Sequence, residues 1–528
     1  MDGKDVAETG ALAIPGIDPD HDLASLGPFA LIDRQALEHL PPSAKSRLLH
    51  FALAEHSIAE PRRVFTNRNL HLDSIRHVGF DLDWTLAEYD HAPMDQLAFE
   101  LTLERLVTGF GYPKRIYDAE LRPKFIRRGL ILDTEQGTIL KMNRHRFVGR
   151  AFFGRHQLDD LERARLYRRE PVRPSTKRYY FVDTLFELPE LNVYSELVEM
   201  TRRSPKLEIE SYAGLFRDVR AAIDSVHGDD TLKSRVLAEL DRFLPRDPEV
   251  VTALERLRLG GRQIILITNS EPYYTDALCR HLFDDDQWRR HFDLVIASAR
   301  KPGFFRNDGP FVELDDDLQP QGEVDVPAWG GFYTGGSRTG LMQLLDCLGE
   351  QVLYVGDHIY GDVVSTKLAS TWRTALVIRE LGDELGVLVA DAPHLRRMAV
   401  LRAELDDLGR RLQESRDVLR LYRELAADGS LGDASQAAIR HADSHVTDLA
   451  TEYRILRQHL RQQQQRLSDR LNPYWGSVFK QGGNKSLFGS QVDHFACVYT
   501  SKVANFAYYG TDHEFRVVRD PMMHEPVI

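Results

Sequence analysis

At 528 residues, with 42% hydrophobic and 28% charged content, the chain is long enough to bury more than one core and has the balance of a soluble globular protein. Its formal charge of −12 argues against nucleic acid as a partner, and no run approaches the ~18 consecutive apolar residues of a membrane span. Three cysteines, Cys279, Cys347 and Cys497, stand far apart without CxxC spacing, which points away from a disulfide framework or zinc site and toward a cytoplasmic setting.

Residues 1–45 are rich in Pro, Gly and Asp and are expected to form a partly ordered arm. Residues 1–5 are polar and acidic, without the basic and apolar segments of a signal peptide. The first buried strand is expected at 78–80, and it runs into Asp81-Leu82-Asp83-Trp84-Thr85. Two carboxylates so close together at a strand end repel each other, and burial penalises both unless a cation or hydrogen bonds compensate. A divalent metal answers both costs. Asp81 is then placed to attack phosphorus and Asp83 to move a proton. The plainer reading is a solvated pair or a structural cation site.

More than 180 residues separate this strand from the next apolar run at 264–267, too many for a crossover connection, so an inserted domain is expected. It carries alternating, strand-like segments at 129–132 and 139–142 and amphipathic helices at 191–200 and 215–226. The run 264–267 ends in Thr268-Asn269-Ser270 before a helix opens at Glu271. Ser270 either caps that helix or joins a phosphate cradle of hydroxyls and free N–H groups. A strand at 294–296 leads to Arg300-Lys301-Pro302. A lone lysine is ordinarily a surface charge, but at a strand's carboxyl end it can bind phosphate and offset developing charge. A strand at 352–355 leads to Gly356-Asp357 and on to Asp362. Asp357 completes an oxygen-rich shell suited to Mg²⁺. Asp362 either supports that shell from behind or caps a helix. A further strand is expected at 375–378. Short buried strands alternating with helices imply a parallel α/β sheet, whose ligands sit at the carboxyl ends of the strands. Beyond His394, Leu401, Leu405, Leu408 and Leu412, and then Val446, Leu449, Tyr453, Leu456 and Leu460, keep helical spacing on either side of a turn at 429–432, which predicts a helical hairpin.

In this order, DxDxT, strand-TNS, KP and strand-GDxxxxD resemble the four-motif signature of the haloacid dehalogenase-like phosphohydrolases. The resemblance implies an α/β fold with a Rossmann-like parallel sheet core at 46–100 and 255–393 and a cap domain inserted at 101–254. A helical hairpin and C-terminal segment at 394–528 would serve oligomerisation. Asp83 fits the phosphatase branch. The stretches 79–89, 128–133, 183–190, 301–305, 354–362, 486–492 and 522–525 are, more closely, similar to the cytosolic purine 5′-nucleotidases of the IMP/GMP type.

That resemblance implies Mg²⁺-dependent hydrolysis of purine nucleoside 5′-monophosphates through phospho-Asp81. It also implies a homo-oligomer, dimer or tetramer, with a nucleotide activator bound at a separate site. Phosphoryl transfer to another nucleoside is the alternative outcome, and a non-catalytic nucleotide-sensing scaffold is the third. Carried over by position, Asp81 and Asp357 bind the metal by carboxylate and Asp83 by its backbone carbonyl. Thr268, Asn269, Ser270 and Lys301 hold the phosphate, with Lys233 reaching its end. Phe186 stacks on the base, and Arg220, Asp224 and His227 line it. Arg220 and Asp224 share one helical face. The arginine suits the O6/N7 edge of a 6-oxopurine and the aspartate accepts from N1–H, which adenine lacks. Without the resemblance they read as an ordinary surface ion pair. Four positions depart from the family: Asp183 for Asn, Leu368 for Lys, Tyr360 for Phe, and Gly228 for an aromatic residue. The first two are expected to weaken a polyphosphate activator site, and the last to loosen the base pocket.

Overall fold

The computed structural model describes residues 58–169, 172–174, 176–204, 209–429 and 435–517. The arm 1–45, the stretch 522–525 and the turn residues after Gly429 lie outside them. Strands Phe65–Thr66 (β1) and His77–Phe80 (β2) come first, followed by helix His91–Gly109 (α1). The insertion then supplies Ile131–Asp133 (β3), Thr138–Met142 (β4), Val148–Phe153 (β5), His156–Gln157 (β6), Tyr179–Phe181 (β7) and helices Leu188–Arg203 (α2) and Tyr212–Gly228 (α3). The chain returns through Gln263–Ile267 (β8), Pro272–Phe283 (α4), Leu294–Ala297 (β9), Phe311–Leu314 (β10), Pro320–Val324 (β11), Phe332–Gly335 (β12), Val352–Gly356 (β13) and Arg373–Val377 (β14). Helices Arg379–Ala390 (α5), Ala392–Ala427 (α6), Ser435–Leu471 (α7) and Leu487–Phe495 (α8) precede a last core strand, Val498–Thr500 (β15).

The main sheet has the order β1-β15-β14-β13-β2-β8-β9-β12-β10-β11. All pairings from β15 across to β12 are parallel, and only the edges are antiparallel. Strands β2, β9 and β13 are buried at every residue, as a parallel sheet covered on both faces requires. Five of the parallel strands coincide with the apolar runs read from sequence. β12 and β15 lie outside those runs: one ends in glycines and the other spans three residues directly after a helix. β15 also places part of the stretch 394–528 inside the sheet rather than beyond the core.

The insertion forms a second, antiparallel sheet in the order β6-β5-β4-β3-β7. Its strands at 131–133 and 138–142 are buried throughout rather than on alternate residues. The reason is a core on each face. Leu132 and Ile139 join the main cluster, while Ile131, Leu140 and Met142 pack with Leu158, Tyr167 and Val172. The hairpin pairs α6 with α7 through Leu408, Leu412 and Leu449, with Val446, Tyr453 and Leu456 against them. Among the described residues no helix is long and apolar enough to cross a membrane.

Lys141 of β4 is buried, and its Nζ donates to the backbone carbonyl of Trp475 (2.8 Å) and to that of Ser477. Burial lowers its pKa to about 7. The unfolded chain, with an ordinary lysine pKa of about 10.4, therefore binds more protons than the folded one between those values, and stability from this group rises with pH across that window. Urea unfolding at pH 7 and at pH 9.5 should show the parent gaining about 1–3 kcal/mol relative to Lys141→Met over that step; parallel pH profiles would contradict it.

Candidate active site

Strands β13, β2, β8 and β9 are neighbours, so the four polar loops that follow them meet at one end of the sheet. Asp81 continues the ladder, its N–H donating to the Val355 carbonyl at 2.9 Å. Lys301 Nζ spends its three protons on Asp81 Oδ1 (2.8 Å), Asp362 Oδ1 (2.9 Å) and the Tyr354 hydroxyl (2.9 Å). That hydroxyl donates onward to the Ile267 carbonyl at 3.1 Å. Asn269 fixes the lysine's backbone from both sides, accepting from Lys301 N–H (2.6 Å) and donating to its carbonyl (3.1 Å). Burial raises the Asp81 pKa against the opposing charge of Lys301, and the nearby Asp362 and Asp83 raise it further.

Asp357 follows a position that only glycine can fill. Asp362 Oδ2 packs so closely on Gly356 that a Cβ there would lie 2.3 Å from it, so only glycine admits the contact. The same Oδ2 accepts from His358 N–H at 3.1 Å. Carboxylate oxygens of Asp81, Asp357 and Asp362 all lie within 4.8 Å of one another. Asp357 Oδ2 is buried without a hydrogen-bond partner, and burial pushes the Asp357 pKa up to about 8. A hard, oxygen-preferring divalent cation fits this set: it supplies the missing partner and offsets charges that Lys301 alone does not balance.

Asp83 stands apart from that cluster, held by hydroxyls. Ser270 Oγ donates to Oδ2 (2.5 Å) and Tyr89 Oη to Oδ1 (2.6 Å), with Tyr274 Oη 3.0 Å from Tyr89. Burial raises the Asp83 pKa and these two donors oppose the rise. A tight turn follows, with Trp84 at φ 58° and its N–H donating to the Ala87 carbonyl. The helix-cap reading of Ser270 is corrected here: Glu271 occupies the cap of α4 without a side-chain bond, and the Ser270 hydroxyl serves Asp83. Thr268 is fully buried, and its Oγ1 accepts from Ser270 N–H at 3.1 Å. Lys233 reaches Glu271 Oε2 at 2.6 Å, near enough for its charge to act on Asp83.

Phe186 lies edge-on to Trp84 and to His227, each at 6.0 Å between centroids. Burial lowers the His227 pKa to about 4, which keeps that ring neutral. Arg220 and Asp224 share a helix face at 3.5 Å, and Arg220 Nη1 also meets Glu190 Oε2 (2.9 Å), Glu187 Oε1 (3.5 Å) and the Tyr180 hydroxyl. Asp183 Oδ1 lies 2.8 Å from His358 Nε2, tying the insertion to the loop that carries Asp357. Leu368 is exposed, and Tyr360 lies beneath Arg306. Tyr89, Tyr354, Arg128 and Glu380 were not singled out from sequence; the first three lie inside motif stretches, but nothing in their spacing marks them.

A family model described as "5′ nucleotidase family" matches residues 64–527. Human 5′-nucleotidase domain-containing protein 2 is 28% identical over 485 residues, which cover 89% of this chain and 86% of that protein. A 5′-nucleotidase domain-containing protein of Dictyostelium discoideum is 26% identical over 484 residues, with 88% and 75% covered. A HAD phosphatase from Thermococcus onnurineus aligns over 58% of this chain and 87% of its own at 14% identity, with a TM-score of 0.24, too low to add to the sheet order described above.

Replacing Lys301 with Met leaves Asp81 and Asp362 buried side by side without their counter-charge. Urea unfolding in EDTA should show a loss of about 3–5 kcal/mol, partly recovered in Lys301→Met/Asp362→Asn. A loss unchanged by the second substitution would mean that the charge pairing is not the cause.

Proposed function

The chain belongs to the 5′ nucleotidase family, whose members are phosphoric monoester hydrolases, and on that premise we propose that it hydrolyses purine nucleoside 5′-monophosphates of the IMP/GMP type through an aspartyl-phosphate on Asp81. The observation that carries the reading is the buried carboxylate cluster with its unpartnered Asp357 Oδ2, set beside a separately held Asp83. Two carboxyl groups in different surroundings can take different roles.

In this reading an Asp81 oxygen attacks phosphorus and the bond from phosphorus to O5′ breaks, while Asp83 gives its proton to O5′. Asp83 then takes a proton from water, which attacks the phosphorus; the bond to Asp81 breaks and inorganic phosphate leaves. In this reading the loop Thr268-Asn269-Ser270 and Lys301 hold the phosphate, Lys301 turning one N–H from its present partner to the phosphoryl oxygens while the Asn269 and Ser270 side chains keep their bonds to Lys301 and Asp83, with Lys233 at the far end. Mg²⁺ would be held by the Asp81 and Asp357 carboxylates and the Asp83 carbonyl with Asp362 behind, and when bound it stabilises charge on the transferring phosphoryl group.

Purine preference rests on the resemblance and on α3. Arg220 Nη1 is committed to Glu190, Glu187 and Tyr180, so the donor left for a 6-oxopurine edge is Nη2, with Asp224 beside it. Nucleotide activation is expected to be weak, because Asp183 is engaged with His358 and Leu368 offers no charge. The reading includes a cytoplasmic homo-oligomer, and exposed Val400, Leu421 and Ile455 on the hairpin offer apolar surface for it.

Phosphate release measured over a panel of nucleoside 5′-monophosphates should depend on Mg²⁺, vanish in EDTA, and run much faster with IMP and GMP than with AMP or CMP. Asp81→Asn should abolish turnover with the fold intact, and Asp83→Asn should slow it about 10²–10⁴-fold. Turnover retained by Asp81→Asn would refute the nucleophile assignment, and equal rates across the panel would refute the base assignment.

A further inference from the structure

Two consecutive arginines of the insertion reach α5 of the core. Arg127 Nη1 lies 3.6 Å from Glu384, and Arg128 forms a fork on Glu380, with Nε 3.1 Å from Oε1 and Nη2 2.5 Å from Oε2. Glu380 and Glu384 are one helical turn apart and so share a face. Arg127 stops at that helix. Arg128 goes further: its side chain is fully buried, its Nη1 donates to the Asp357 carbonyl at 2.6 Å, and it sits 3.8 Å from Asp357 Oδ2. The chain can deliver it there because the next residue is Gly129, at φ +83°, where a Cβ would fall 2.5 Å from Phe488 Cβ. The Phe488 ring lies under the guanidinium at 5.8 Å.

The geometry separates two tasks. At 2.6 Å Arg128 fixes the backbone of Asp357. At 3.8 Å it attracts the carboxylate without donating to Oδ2, which stays unpartnered. Lys301, by contrast, donates directly to Asp81 and Asp362. Glu380 keeps the guanidinium aligned and is itself held ionised, its pKa drawn down to about 2 by Arg128 against burial.

We infer that Arg128 is a positioning residue, supplied by the inserted domain, that presents the Asp357 carboxylate to the divalent cation. This rests on the reading of Asp357 as a metal ligand given above. Partners that orient metal ligands typically matter about 10–100-fold in metal affinity.

Mn²⁺ binding to the full chain, followed by the EPR signal of free Mn²⁺, tests it. The parent should bind and Asp357→Asn should not. Arg128→Lys, and Arg128→Met/Glu380→Leu, which exchanges the ion pair for apolar groups and so preserves folding, should each bind about 10–100-fold more weakly. Arg127→Met removes a neighbouring bolt to the same helix and should bind within about twofold of the parent, where a merely structural role would move both arginines alike. Folded Arg128 variants with parental affinity, or an equal loss in Arg127→Met, would overturn the inference while leaving the metal site standing. A parent that binds no Mn²⁺, or an Asp357→Asn variant that binds as the parent does, would instead overturn the metal reading on which it depends.

Discussion

Three carboxylates buried within touching distance at the end of a parallel sheet set the terms for much of this molecule. Each is desolvated, and each raises the cost of its neighbours' charge. The offsets come from both the core and the insertion. Lys301 arrives from the loop after β9, held in place by Tyr354 of β13, while Arg128 comes from the insertion. Neighbouring strands are needed to place these groups within hydrogen-bond distance, so the strand order and the electrostatics of the site are one arrangement.

Asp83 shows the opposite treatment. Two residues from Asp81, it is met by hydroxyls rather than by direct ammonium or guanidinium contacts, and a tight turn follows it. Hydroxyl donors stabilise a carboxylate less than full charges do, so its proton can come and go more readily than a strongly ion-paired one. The sequence spacing DxD thus resolves into two electrostatic environments, separated by one leucine.

What could be read from the chain was local. Apolar runs that end in chemistry-bearing residues marked β2, β8, β9 and β13, because burial and motif lie within a few residues of each other. Asp81, Asp357 and Asp362 were named from that pattern and lie together. Arg128 was not separable from other arginines, since its partners Asp357 and Glu380 lie over two hundred residues away in sequence. Asn269 and Ser270 were named as phosphate contacts, yet in the fold their side chains hold Lys301 and Asp83; a side chain's direction depends on loops that the sequence of one segment does not contain. β12 and β15 escaped because their short runs take on strand geometry only by pairing with neighbours already in the sheet.

β15 lies beyond the long hairpin, pairing with β14 on one side and with β1 on the other. Phe65 faces Tyr499 across that last pairing. A chain emerging from the ribosome therefore makes the four motif loops and their strands well before it can complete the sheet. Until residues 498–500 appear, β14 presents a bare edge of hydrogen-bonding groups, the kind of surface on which one chain pairs with another. The hairpin is synthesised during exactly that interval. Completion of the sheet thus waits on the far end of the chain, made after all four motifs.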